Sequence, residues 1–199
     1  MKQIFYSKSL PIANVCAMVY APVVDEQLVA ETLRENGYET TVTNTSKEDL
    51  KKNIVQHVDI IAKGPRGKFL IDVKTPIDKY INLSKHFITS DTNKCTHIAI
   101  IYQDKVIIAK KSDVVKEAKL SHFTPNMYYV PITTFNKVQL FSLCLSDENT
   151  QYREEQKLVY ALLKDSIDVK NSYNLQKCID NFQVSYKKYF NDTFEFVVI

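Results

Sequence analysis

Residues 58–74 read VDIIAKGPRGKFLIDVK, and this stretch decides the fold. Apolar, strand-forming runs flank Gly64-Pro65-Arg66-Gly67, whose glycines and proline are turn chemistry. The spacing predicts a β-hairpin with strands over residues 55–63 and 68–75. Side chains two apart on a strand share a face, so Asp72 and Lys74 point one way and Val73 the other. Asp59, Asp72 and Lys74 are charged groups among isoleucines and leucines, where burial is costly without a partner or a metal. Asp59 and Asp72 stand 13 residues apart across a tight turn, which brings their carboxylates to one end of the hairpin. Two convergent carboxylates repel, and a divalent cation removes that penalty.

Those parts suit phosphodiester hydrolysis. Carboxylate oxygens hold Mg2+ or Mn2+, leaving positions for water and a phosphate oxygen. A neighbouring lysine orients the attacking water and stabilises developing negative charge. The backbone carbonyl of Val73 is a further candidate metal ligand, because its side chain faces away.

Working outward, residues 25–36 (DEQLVAETLREN) predict a helix with Asp25 as N-cap and Gly37 at the stop. Before it, residues 10–24 are apolar and broken by Pro11 and Pro22, with no element type assigned. Residues 38–44 predict a strand, residues 46–53 are charged and compatible with a helix, and residues 96–102 and 105–110 predict two strands joined at Gln103-Asp104. A helix over 112–120 and a strand over 127–130 follow, then helices over 152–163 and 175–190. The order predicts an α/β fold with a central mixed sheet of four or more strands flanked by helices. Residues 1–145 form the expected core, and residues 146–199 a helical C-terminal extension packed on or beside it.

Composition adds bounds. The 199 residues carry a net charge of +3, too small to announce a nucleic-acid binder. Residues 47–119, however, hold 15 Lys and Arg against 9 Asp and Glu, so the positive excess lies in the middle of the chain. Lys63, Arg66 and Lys68 at the hairpin turn, and Lys79 after it, are candidate phosphate contacts; ordinary solvated lysine is the other reading of each, and both stay open. His57 precedes Asp59 by two and shares its face on an extended strand, either as a metal ligand or DNA contact or as a surface or hydrogen-bonded histidine. Cys16, Cys95, Cys144 and Cys178 lack any CxxC spacing, which predicts single buried thiols and no zinc knuckle. No apolar run reaches the roughly 20 residues of a membrane span, so a soluble intracellular protein, not a secreted one, is expected. Phosphate-binding Walker and GxGxxG loops are absent.

The hairpin resembles the signature of the restriction-endonuclease-like superfamily, the PD-(D/E)xK nucleases: an acid, a spacer, and an acid-x-lysine triplet. Asp59 matches the first acid, Asp72 the second and Lys74 the lysine. Val58 stands where the family name has proline, and Asp72 where glutamate is more frequent. EQLVAETLRENGYETTV is similar to the preceding helix and strand of Holliday-junction resolvases and related nucleases, with Glu26 as the helix acid that holds or supports the metal. Glu26 shares a face with Val29, Ala30 and Leu33, and Glu31 is the reserve. The resemblance spans about residues 25–110. It implies a Mg2+- or Mn2+-dependent deoxyribonuclease, endonuclease rather than exonuclease, acting as a homodimer or within a larger nucleoprotein machine. A non-catalytic binding or assembly module on the same fold, and an RNA endonuclease, remain as alternatives. Viral cap-cleaving members usually add a histidine on an early helix, and no histidine here precedes residue 57.

Overall fold

The computed structural model describes the backbone of residues 2–6, 12–43, 56–166, 175–190 and 194–198, and side chains within 24–43, 56–159, 161–162 and 180–189. In chain order the elements are β1 (Lys2–Tyr6), α1 (Ile12–Glu35), β2 (Glu39–Val42), β3 (Ile60–Gly64), β4 (Gly67–Val73), β5 (Tyr80–Ser84), α2 (Lys85–Thr89), β6 (His97–Tyr102) and β7 (Lys105–Lys110). There follow α3 (Lys111–Lys116), β8 (Lys119–Leu120), β9 (Met127–Pro131), α4 (Phe135–Val138), β10 (Gln139–Cys144), α5 (Asp147–Ser166), α6 (Leu175–Phe190) and β11 (Phe194–Val198). The chain divides into two compact units, residues 25–150 and residues 1–24 with 151–199.

The larger unit carries a six-stranded sheet in the order β10-β7-β6-β4-β3-β2. Only β4 and β6 pair in parallel; the other neighbours are antiparallel. This is the expected mixed sheet. A parallel pair needs a crossover, and here residues 74–96, containing β5 and α2, supply it. β6 is buried along Ile98–Ile101, as befits a central strand covered on both faces. On one face, Leu70 and Ile61 of the hairpin join Ile98, Ile100, Ile107 and Ala109 in a core with Phe87 of α2, Val114 of α3 and Phe135 of α4. Ile81, Leu83 and Val130 enter the same core from a second sheet, ordered β5-β9-β8.

The hairpin forms as its turn residues require. Gly64 pairs with Gly67, whose φ of +107° suits glycine. Tyr38 covers Gly64 and stacks near Phe141, with ring centroids 6.2 Å apart. Ser84 caps α2, its Oγ accepting from the backbone N–H of Phe87 at 3.0 Å.

Several expectations need correction. The apolar run left without a type is helical from Ile12, so Asp25 lies inside α1 and does not cap it. Its carboxylate instead accepts a hydrogen bond from Thr75. The first hairpin strand begins at Ile60, because His57 has a positive φ of 52° that breaks the extended path; its side chain therefore loses the alternation expected with Asp59. The helix expected to reach residue 120 stops at Lys116, and Lys119–Leu120 pair with β9. Cys95 is buried as expected, but Cys144 is exposed near the sheet's edge. Residues 46–53, Cys16 and Cys178 fall outside the described backbone or side chains. In the smaller unit, the two expected helices are joined by β11, which pairs in parallel with β1. Phe182 and Tyr186 of α6 are fully buried there, with rings 5.6 Å apart. No helix among the described residues is long and apolar enough to cross a membrane.

Candidate active site

The open end of the hairpin gathers charge in a poorly solvated place. Asp59 sits just before β3, and its backbone N–H donates to the Ile71 carbonyl at 2.8 Å. Ile71 already pairs with Ile60, so two residues of one strand share one of the other, an offset resembling a β-bulge. Thr43 holds the same segment, its N–H donating to the Asp59 carbonyl at 2.9 Å and its hydroxyl to the carbonyl of Val58. The Asp59 side chain turns to β4, where Oδ2 accepts the N–H of Val73 at 2.7 Å.

Asp72 is 3% exposed and Asp59 8%, which makes them buried acids with unusual requirements. Lys74 Nζ lies 2.7 Å from Asp72 Oδ2, as their shared strand face demands. The Lys74 ammonium is the partner of that buried oxygen. Burial pushes the Asp72 carboxyl up to about 7; Lys74 opposes the push and Asp59 adds to it. For Lys74, burial pulls the ammonium down, but the charge of Asp72 and its hydrogen bond outweigh this and hold the value above normal.

Phe87 forms an apolar floor beside this pair. Lys74 Nζ lies 4.9 Å from its ring centroid and Lys111 Nζ 5.1 Å from the same centroid, distances at which a cation is attracted to the ring. His57 meets Phe87 edge-on at 5.2 Å and His86 at 5.5 Å. Burial, with the charge of Lys74, lowers the His57 pKa, so its ring is neutral near pH 7. Cys95 is pushed up to about 12 by burial and then by Asp72, which leaves an inert thiol.

The structure thus brings Asp59, Asp72, Val73 and Lys74 together. Glu26 is buried on α1, beside Leu28, Val29, Ala30 and Leu33, whereas Glu31 is exposed. Asp25, adjacent to Glu26, accepts from Thr75 Oγ1 at 2.8 Å, which ties this turn of α1 to the residue after Lys74. Lys63, Arg66 and Lys68 are exposed at the hairpin's opposite end. Five residue steps along β4 lead from Gly67 to Asp72, roughly 17 Å at the usual rise. Arg66 lies 4.6 Å from the Phe141 ring centroid. Lys79 is exposed on the segment leaving the site end of β4.

Sequence reasoning missed Lys111, Phe87 and the tertiary role of Asp25. Only Asp25 carried a signal, an acid within an apolar helical pattern; Lys111 and Phe87 arrive from elements distant in sequence. Among the described residues, no three His, Cys, Asp or Glu side chains converge as a metal cage by themselves. A cavity of about 450 Å³ lined by Lys110, Asp113, Lys137 and Leu140, among others, contains none of the site residues.

No family model matches the chain, and no curated protein does. Among solved structures it is similar to Hjc of Archaeoglobus fulgidus, a Holliday junction resolvase from an archaeal hyperthermophile. The match has 13% identity and a TM-score of 0.41, and covers 59% of this chain and 88% of that one. A superposition this loose carries nothing about activity.

Proposed function

We propose that the chain is a metal-dependent nuclease that hydrolyses phosphodiester bonds in DNA at the Asp59, Asp72 and Lys74 site. The observation that carries this is Asp72: a buried carboxylate beside a second buried acid, ion-paired at 2.7 Å to a lysine on the same strand face. Such a group is costly alone and is stabilised by a divalent cation. The donor set, carboxylate oxygens with a backbone carbonyl, fits Mg2+ or Mn2+ and not a softer metal.

Asp59, Asp72 and the Val73 carbonyl would hold the ion, with Glu26 supporting it from α1. When bound, it supplies Lewis acidity toward the phosphate and the attacking water. The chain's own work is positional. The Val73 N–H fixes the Asp59 carboxylate, and Asp72 fixes the Lys74 ammonium. Lys74 orients water toward phosphorus and offsets the negative charge that builds on the phosphoryl oxygens. As the new P–O bond forms, the bond to the leaving sugar oxygen breaks, and that oxygen takes up a proton. Lys79, and the turn residues Lys63, Arg66 and Lys68, are assigned to backbone phosphates farther along the duplex. Cutting both strands calls for two such sites, hence a homodimer or a larger assembly.

The test is cleavage of matched DNA and RNA with Mg2+ or Mn2+. RNA cut in preference to DNA would move the assignment to an RNA endonuclease, and metal binding without cleavage of either would leave a non-catalytic module.

A further inference from the structure

Lys111 opens α3 directly after β7, with its backbone fixed by an N–H donated to the Thr96 carbonyl at 3.0 Å. Its side chain is only partly exposed and turns to Phe87, whose ring it shares with Lys74. Among the described residues of this unit, Lys74 is ion-paired with Asp72 and Lys116 with Asp113. Among the described residues Lys111 has no carboxylate within pairing distance. Two ammonium groups thus meet at one buried ring beside the acids, and of the two only Lys74 is in an ion pair among the described residues. Like charges held together in a poorly solvated place repel, and an anion resting between them removes the repulsion.

We propose that Lys111 is a phosphate-binding residue of this site, acting with Lys74 beside Phe87 on a substrate phosphate. The proposal rests on the nuclease reading given above. It names a contact made from the β6–β7 side of the sheet, opposite in the chain to the hairpin that supplies the acids. The charge of Lys111 already reaches Asp72, His57 and Cys95 in the folded chain, as a group in the same electrostatic neighbourhood must. A purely neutralising role toward Asp72 is the competing account. It predicts changes in stability and metal affinity and no change in phosphate contacts.

The decisive experiment measures binding of a short fluorescein-labelled DNA duplex by the full chain, with Ca2+ replacing Mg2+ so that binding is seen without turnover. Affinity is followed against KCl concentration for the wild type, Lys111→Gln and Lys111→Arg, alongside thermal melts. One lost phosphate contact lowers the slope of log affinity against log salt by about 0.9, and Lys111→Arg restores it. In cleavage assays Lys111→Gln raises KM more than it lowers kcat. A Lys111→Gln slope equal to the wild type's overturns the proposal, whatever the effect on melting. Wild-type protein that binds DNA but cuts nothing defeats the nuclease reading while leaving the slope comparison decisive. Wild-type protein that does not bind duplex DNA overturns the assignment of Lys111 to phosphate.

Discussion

The backbone N–H of Val73 donates to Asp59 Oδ2 at 2.7 Å, and the neighbours of Val73 on its strand are the buried Asp72 and its ion-pair partner Lys74. One peptide group therefore orients the first acid while its own strand presents the second acid and the lysine. The three charged residues are fixed relative to one another by backbone geometry, and not by the chance meeting of long side chains.

Removing that acceptor has a measurable cost. Asp59→Ala leaves the Val73 N–H buried without its partner and destabilises the fold by about 1–3 kcal/mol, read as a lower Tm. Asp59→Asn keeps a carbonyl oxygen as acceptor and recovers most of the loss, yet neither variant cleaves DNA. An asparagine variant as unstable as the alanine one would show that the hydrogen bond contributes little.

Asp72 makes the metal-free protein pH-sensitive. Its carboxyl titrates at about 7 in the fold against a reference of 3.8. Between those values the folded chain holds a proton that the unfolded chain has lost, so stability falls as pH rises through the window and levels off above it. In EDTA, Tm should decline from about pH 4 to about pH 7, and Asp72→Asn should flatten the decline. Because metal binding needs the deprotonated acid, Mn2+ or Mg2+ should raise Tm more at about pH 8 than at about pH 5. A wild-type profile that matches Asp72→Asn would remove Asp72 from this role.

Glu26 is assigned to the metal's support from the opposite element. Glu26→Gln keeps the volume of a buried side chain and removes its charge. The expected result is metal affinity weakened by about 10–100-fold. Isothermal titration with Mn2+ checks this; unchanged affinity removes Glu26 from the metal's support.

The hairpin itself is testable at Gly64. A Cβ there would run into the Tyr38 ring, which packs against Phe69 and Phe141. Gly64→Ala should cost about 1–3 kcal/mol by overpacking, visible in denaturant unfolding, with the metal-dependent activity of the surviving folded fraction intact.

The hairpin, its turn and the face shared by Asp72 and Lys74 were legible because period-two alternation and turn chemistry are local. The β6–β7 pair was legible for the same reason. Asp25 was misread because an acid ahead of an apolar helical run looks like a cap, and only the packing of Thr75 shows another use. The kink at His57 carries no pattern, since a positive φ at histidine is imposed by surrounding structure. β5 and β10 pair only with strands far along the chain, and Lys111 meets Phe87 only after the crossover folds; neither relation leaves a local signal. β1 and β11, at opposite ends of the sequence, pair with each other for reasons no short window could contain.

The central claim is tested most directly by incubating labelled linear, circular, single-stranded and branched DNA with the wild type, Asp72→Asn and Lys74→Ala, each with Mg2+, Mn2+ or EDTA. The account predicts cutting by the wild type only when metal is present, lowered by at least about 100-fold in both variants although they remain folded and bind DNA. Cutting that survives both substitutions, or a folded wild type that binds Mn2+ and leaves every DNA intact, would contradict it.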